Sequence, residues 1–200
     1  MSAILVKTRI EALNLINSSI LSTKDAQKVG LNPYDLSKLV EEGVLERDER
    51  GVYRKVGHQT PENESYARAL AHLGEPSVIS LWSALSFHDL TEEVPSNIWV
   101  YLPFNKYSHL KGLVVVRKKN PYWNIGIETY DGIRITNIER SLVDALADGR
   151  HFDKFTPFRM VLAAIRSKKT TETKLLKMAK QLGVEKRVSE KLLLLQDTYV

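Results

Sequence analysis

Five histidines, His58, His72, His88, His109 and His151, stand far apart, with no HxH or HxxxH pair to close on a metal ion. Ser80, Ser83 and Ser86 recur every third residue beside His88, the residue types of a nucleophile and its base. No glycine-flanked elbow surrounds any of them, and three-residue spacing simply lays the serines on one helix face. The carboxylate pairs Glu41–Glu42 and Glu92–Glu93 sit in helix-end and turn sequence, without a cluster that would raise a pKa. No GxxxxGK(S/T) or GxGxxG loop is present for phosphates. With no cysteine, disulfides, thiolate zinc sites and cysteine nucleophiles are also ruled out. The expectation is therefore no enzyme, no metal and no cofactor. What the residue types do support is contact chemistry: Asn32, Tyr34, Ser37 and Lys38 follow one another closely, with Arg47, Arg50, Tyr53, Arg54 and Lys55 soon after. Amides, hydroxyls and ammonium groups pair with base edges, and guanidinium groups with phosphates.

Those side chains need elements to aim them. Thr8 to Asn17 carries Ile10, Leu13 and Ile16 at helical spacing, and Lys24 to Val29, capped by Ser22 or Thr23, reads as a second helix that Gly30 ends. Asn32-Pro33 is an N-cap followed by a first-turn proline, opening a third helix that runs to Glu42 before Gly43. Leu36, Leu39 and Val40 share its apolar face, which turns Tyr34, Ser37 and Lys38 outward. Val44–Arg47 and Val52–Val56 then form a hairpin around Asp48-Glu49-Arg50-Gly51. Three helices and a hairpin in this order make a winged helix-turn-helix. The third helix would read bases in the major groove, and the hairpin, or wing, would hold phosphates. The charge of residues 1–57 is nearly balanced, nine basic against eight acidic, so a winged helix that makes only protein contacts stands as the rival reading.

A polar stretch with a proline, residues 58–63, marks the expected boundary between a domain at 1–57 and another at 58–200. The second is expected to be α+β. Helices span Glu64 to His72 and Pro76 to Leu90, and a small, mostly antiparallel sheet comprises Ile98–Leu102, Leu113–Lys118, Ile125–Thr129 and Ile133–Thr136. Thr136 caps the next helix, to Asp148, with Glu139 completing a capping box, and helices follow over Pro157–Ser167, Thr171–Leu182 and Glu185–Asp197. Charged residues interrupt every apolar run and no secretory leader pattern opens the chain, so a cytoplasmic protein with no membrane partner is expected.

Three ordered blocks carry a resemblance. They are Gly30-Leu31-Asn32-Pro33-Tyr34-Asp35-Leu36-Ser37-Lys38-Leu39-Val40-Glu41-Glu42-Gly43-Val44-Leu45-Glu46-Arg47 with Gly51-Val52-Tyr53-Arg54, then Ile79 to Leu90, then Ile133 to Leu146. Together they resemble the AbiEi antitoxin family. That resemblance implies the antitoxin of a bacterial type IV toxin-antitoxin system, associated with abortive phage infection. Such a protein represses its own operon through the N-terminal domain, at an operator with inverted repeats that a homodimer would suit. The second domain would oppose a nucleotidyltransferase-like toxin, with no stable complex required. The alternative is a winged-helix regulator with no cognate toxin; an enzyme acting on nucleic acid is the rival of a different class.

Residues 150–200 hold twelve basic and five acidic side chains, so the chain's basic excess lies there. Lys168, Lys169, Lys174, Lys177, Lys180, Lys186, Arg187 and Lys191 would form an outer helical face above the stripes Leu175-Leu176-Ala179-Leu182 and Leu192-Leu193-Leu195. Such a face could bind DNA beside the operator, touch an acidic toxin surface, compete for the toxin's RNA, or serve only to keep the helices solvated.

Overall fold

The structure, a computed structural model, describes residues 3–57, 63–108, 110–119, 122 and 124–196, with the backbone alone for residues 3–7, 49, 195 and 196. It divides into two compact units, residues 1–77 with 130–133, and residues 78–129 with 134–200. The expected linker lies, except for Asn63, outside the described residues, and the first unit extends past the expected boundary at residue 57.

The first unit contains α1 (Ala3–Asn14), β1 (Ile20–Ser22), α2 (Thr23–Lys28), α3 (Pro33–Glu41), β2 (Leu45–Glu49), β3 (Val52–Lys55) and α4 (Glu64–Leu73). β1 has no counterpart in the sequence reading. Only three residues long, it is held by pairing with β3 across some thirty positions, Leu21 opposite Tyr53. β2 pairs with the other side of β3, so β1-β3-β2 is an antiparallel sheet, with an irregularity between Arg47 and Glu49. Ser22 ends β1 and starts α2 through a capping box: its Oγ accepts from the Asp25 N–H, and the Asp25 carboxylate accepts from the Ser22 N–H. Leu13, Leu21, Ala26, Leu31, Leu36, Leu39, Leu45 and Tyr53 pack into one apolar core beneath the helices. The element order α1-β1-α2-α3-β2-β3 is that of a winged helix.

The second unit contains β4 (Val78–Ile79), α5 (Leu81–Phe87), β5 (Ile98–Pro103), β6 (Leu113–Lys118), β7 (Ile127–Tyr130), β8 (Ile133–Thr136), α6 (Ile138–Ala147), α7 (Thr156–Arg166), α8 (Glu172–Gln181) and α9 (Glu185–Gln196). The α+β class and the small sheet are as expected. The strand order is β6-β5-β4-β8-β7; β4–β5 is antiparallel, whereas β4–β8 and β5–β6 run parallel, so the pairing is mixed. The helix expected over Pro76–Leu90 is split, because Val78 and Ile79 are drawn into the sheet between β5 and β8 before α5 begins. Asn137, not Thr136, caps α6, its side chain accepting from the Arg140 N–H. Thr136 bonds the Ser141 hydroxyl instead, and Glu139 accepts from Thr170. α5 to α9 close over a core that includes Leu85, Leu142, Leu146, Met160, Val161, Leu175, Ala179 and Val188.

A buried polar cluster ties α6 to the strands. Arg140 donates to Asp144 at 2.5 Å and to the Ile125 carbonyl at 2.7 Å, and the Tyr101 hydroxyl donates to Asp144 at 2.8 Å. Lys118 approaches the same carboxylate at 3.8 Å and lies over the Tyr101 ring. Burial pushes the Tyr101 hydroxyl well above its ordinary pKa, with the Asp144 charge adding to the effect.

Candidate nucleic-acid interface

α3 begins with its N-cap in place. The Asn32 side-chain oxygen accepts from the Tyr34 and Asp35 N–H groups at 2.9 and 3.0 Å, and Asp35 closes the capping box by accepting from the Asn32 N–H. Asn32 is exposed, but its acceptor is spent on the helix, which leaves it a structural part rather than a free base reader. Tyr34 stands outward between two cations, Arg9 and Lys38, each 5.7 Å from the ring centroid. Ser37 is exposed and donates to the Pro33 carbonyl, and Lys38 pairs with Glu41 one turn on. Gly43, with a positive φ of 69°, ends the helix and lets the Val44 N–H return to the Leu39 carbonyl.

Arg9, on α1, adds a contact that the sequence analysis does not name. It reaches from α1 to bond Asp35 at 2.8 Å and approaches Glu42 at 3.8 Å, so it locks the outer side of α3 to the helix behind it. Burial works against the Asp35 charge, but the Asn32 N–H and the Arg9 guanidinium outweigh it and hold the carboxyl below its ordinary pKa. The sequence signal was weak: a lone arginine on a helix gives no sign of a partner twenty-six residues away.

On the wing, Arg47 and Arg50 are exposed and make no ion pair with a described side chain. Of the other expected wing contacts, Tyr53 and Lys55 are corrected, and Arg54 is paired but stays partly exposed. Tyr53 is 9% exposed and belongs to the core. Lys55 is 7% exposed, its ammonium donating to the Ile16 carbonyl, and burial lowers its pKa. Arg54 is held by Glu46 at 2.8 Å and lies 3.8 Å from Glu64. The cause is shared: β3 is the middle strand of three, and α4 packs against the β1 and β3 side of the sheet opposite the helical core. The face with Tyr53 and Lys55 is therefore closed, the face with Arg54 is partly covered by α4, and the turn and the β2 edge remain open.

The basic residues of α7 to α9 also divide. Lys169 donates to the His88 and Asp89 carbonyls, Arg187 to the Ala147 carbonyl and Lys191 to the Leu146 carbonyl. Lys169 thus serves the end of α5, and Arg187 and Lys191 the end of α6, where helix carbonyls lack partners and the dipole favours cations. Lys168, Lys174, Lys177, Lys180 and Lys186 are exposed.

The serine and histidine set is structural. Ser80 is buried, Ser83 accepts from the Trp99 N–H, and the His88 ring meets the Thr136 carbonyl at 2.7 Å, with burial lowering its pKa. Among the described residues no group of three or more His, Cys, Asp or Glu could hold a metal ion, and no helix is long and apolar enough to cross a membrane.

A capped helix with an outward polar side, beside a wing that carries the exposed Arg47 and Arg50, defines a winged helix of the kind that transcriptional regulators use. Residues 9–54, which run from α1 to β3, match the family model of transcriptional regulators described as AbiEi antitoxins. That segment is similar to this family, as the first sequence block indicated; the second and third blocks lie outside the matched residues. No curated protein matches the chain.

Proposed function

We propose that the protein is a DNA-binding autorepressor and the antitoxin of a type IV toxin-antitoxin system, acting in the cytoplasm by binding rather than by catalysis. The observation that carries this reading is the open side of α3, with Tyr34, Ser37 and Lys38, next to Arg47 and Arg50, all within the segment that matches the antitoxin family. In the proposed complex α3 enters the major groove of the operator and the two arginines neutralise phosphates. Tyr34 is already held between cations, so it reaches the duplex with little further loss of freedom. A homodimer would match an operator with inverted repeats. The second unit opposes a nucleotidyltransferase-like toxin without needing a stable complex, and the five exposed lysines of α8, α9 and the turn before α8 are its proposed surface.

Fluorescence anisotropy on the upstream DNA tests the interface. Replacing Arg47 and Arg50 together by Ala should weaken binding to every duplex alike and reduce the slope of log K against log salt by about 1.8. Lys38→Ala should instead change the ranking of operator variants, by about 1–3 kcal/mol at the affected base pair. Unchanged binding in both variants would refute the docking. The family match ends at residue 54, within the winged helix, and this favours keeping a regulator without a toxin as the second reading. Co-expression with the neighbouring gene separates the two: an antitoxin restores growth, and a regulator alone does not.

A further inference from the structure

From Val94 to Ile127 the chain contains no Asp or Glu, yet it carries Lys106, Lys111, Arg117, Lys118 and Lys119. The acidic residues nearest to it in the chain, Glu92, Glu93 and Glu128, lie just outside this stretch. This acid-free stretch forms β5, the loop after it, and β6, which is an edge strand of the five-stranded sheet. Successive side chains of β6 leave on opposite sides. Lys118 turns toward α6, where Tyr101 and Asp144 receive it. Arg117 and Lys119 leave on the other side, and both are exposed.

There each cation meets an aromatic ring from the loop. Arg117 lies 4.5 Å from the Tyr107 ring centroid, and the Lys119 ammonium 4.3 Å from that of Phe104. These rings are not core: Tyr107 is 70% exposed and Phe104 50%. Each ring has two faces, and a cation over one leaves the other for a planar partner. Lys111, also exposed, stands just before the opposite end of β6.

We propose that this β5–β6 surface binds single-stranded RNA. Exposed aromatic rings interleaved with unopposed cations along an open strand suit a chain of unpaired bases and phosphates: the bases stack on Tyr107 and Phe104, and Lys111, Arg117 and Lys119 follow the backbone. A duplex hides its base faces, so this chemistry selects against paired nucleic acid, and RNA is the form that presents unpaired loops and ends. An acidic peptide would meet the charge but does not supply a regular series of bases to stack on the rings. The site shares no residue with the operator interface, and it stands or falls separately.

The test uses the full chain and a labelled uridine 12-mer, read by fluorescence anisotropy across a salt series. Saturable binding is expected, with RNA at least as tight as a deoxythymidine 12-mer and much tighter than a double-stranded RNA of equal length. Replacing Phe104 and Tyr107 together by Ala should lower affinity at least tenfold. Replacing Arg117 and Lys119 by Ala should reduce the salt slope by about 1.4. Both variants should keep the parent's melting temperature and its affinity for duplex DNA, because the four side chains are exposed. Replacing Arg47 and Arg50 by Ala should leave the 12-mer affinity unchanged. The proposal is overturned if the 12-mer does not bind, if Phe104 and Tyr107 prove dispensable, if paired RNA binds as well, or if the DNA 12-mer binds more tightly. Loss of RNA binding in the Arg47 and Arg50 variant would also overturn it, by moving the strand to the winged helix.

Discussion

Lys55 shows how much the setting of one side chain decides. On β3 it looks like a cation for phosphate, but its ammonium is buried against the Ile16 carbonyl and its pKa is lowered. In the unfolded chain the amine titrates near the ordinary 10.5. Between the lowered value and 10.5 the unfolded state holds a proton that the folded state has released, so stability rises with pH across that window. Lys55→Met should abolish this rise, measured as the difference between parent and variant in urea unfolding at several pH values up to 10.5; parallel curves would show that the buried amine is not strained. Gly126 is a second such residue. It takes φ +71°, and a Cβ there would sit 2.8 Å from the Arg140 Cβ and 2.9 Å from the Met178 methyl. Gly126→Ala should cost roughly 2–4 kcal/mol, from overpacking added to a left-handed backbone. Thermal or urea melting would show it, and a loss under 1 kcal/mol would mean that the loop before β7 yields.

At the scale of elements, helix ends do much of the positioning. Asn32 starts α3, Ser22 starts α2, and Arg187 and Lys191 complete the far end of α6. Asn32→Ala should lower stability by about 1 kcal/mol, the usual cost of a lost N-cap, and weaken all operator variants equally. A change in base preference instead would restore Asn32 as a reader. Caps were mostly legible where cap and helix are neighbours: Asn32 caps as its pattern suggests and Ser22 is one of the two candidates there, whereas at α6 the cap falls one residue on, at Asn137 rather than Thr136. They were illegible where the partner is remote. Nothing near Lys191 points to the Leu146 carbonyl forty-five residues away, so a C-terminal cap for another helix read as part of a solvated face. β1 and β4 were missed for a related reason. At three and two residues, neither has enough length to show a period, and both exist through pairing with distant strands.

At the scale of the whole molecule, the two units suggest two separable tasks. Replacing Arg47 and Arg50 by Ala should release the operon, seen with a promoter reporter, while the same protein still rescues cells from the neighbouring toxin. Loss of both properties together would mean that the winged helix is itself needed for neutralisation.

Helical periodicity, proline-and-glycine punctuation and the hairpin turn were enough for the residues alone to determine the α+β class, the winged helix and the outward side of α3, since each of these depends on neighbours in the chain. Tertiary structure decided which cations are free. Burial on the core face of β3 removed Tyr53 and Lys55, ion pairing engaged Arg54, and remote helix ends claimed Lys169, Arg187 and Lys191. A charged side chain reads alike in sequence whether it meets water, a carboxylate or a carbonyl; only the fold brings the partner within hydrogen-bonding distance, and that partner determines whether the charge is available to a ligand.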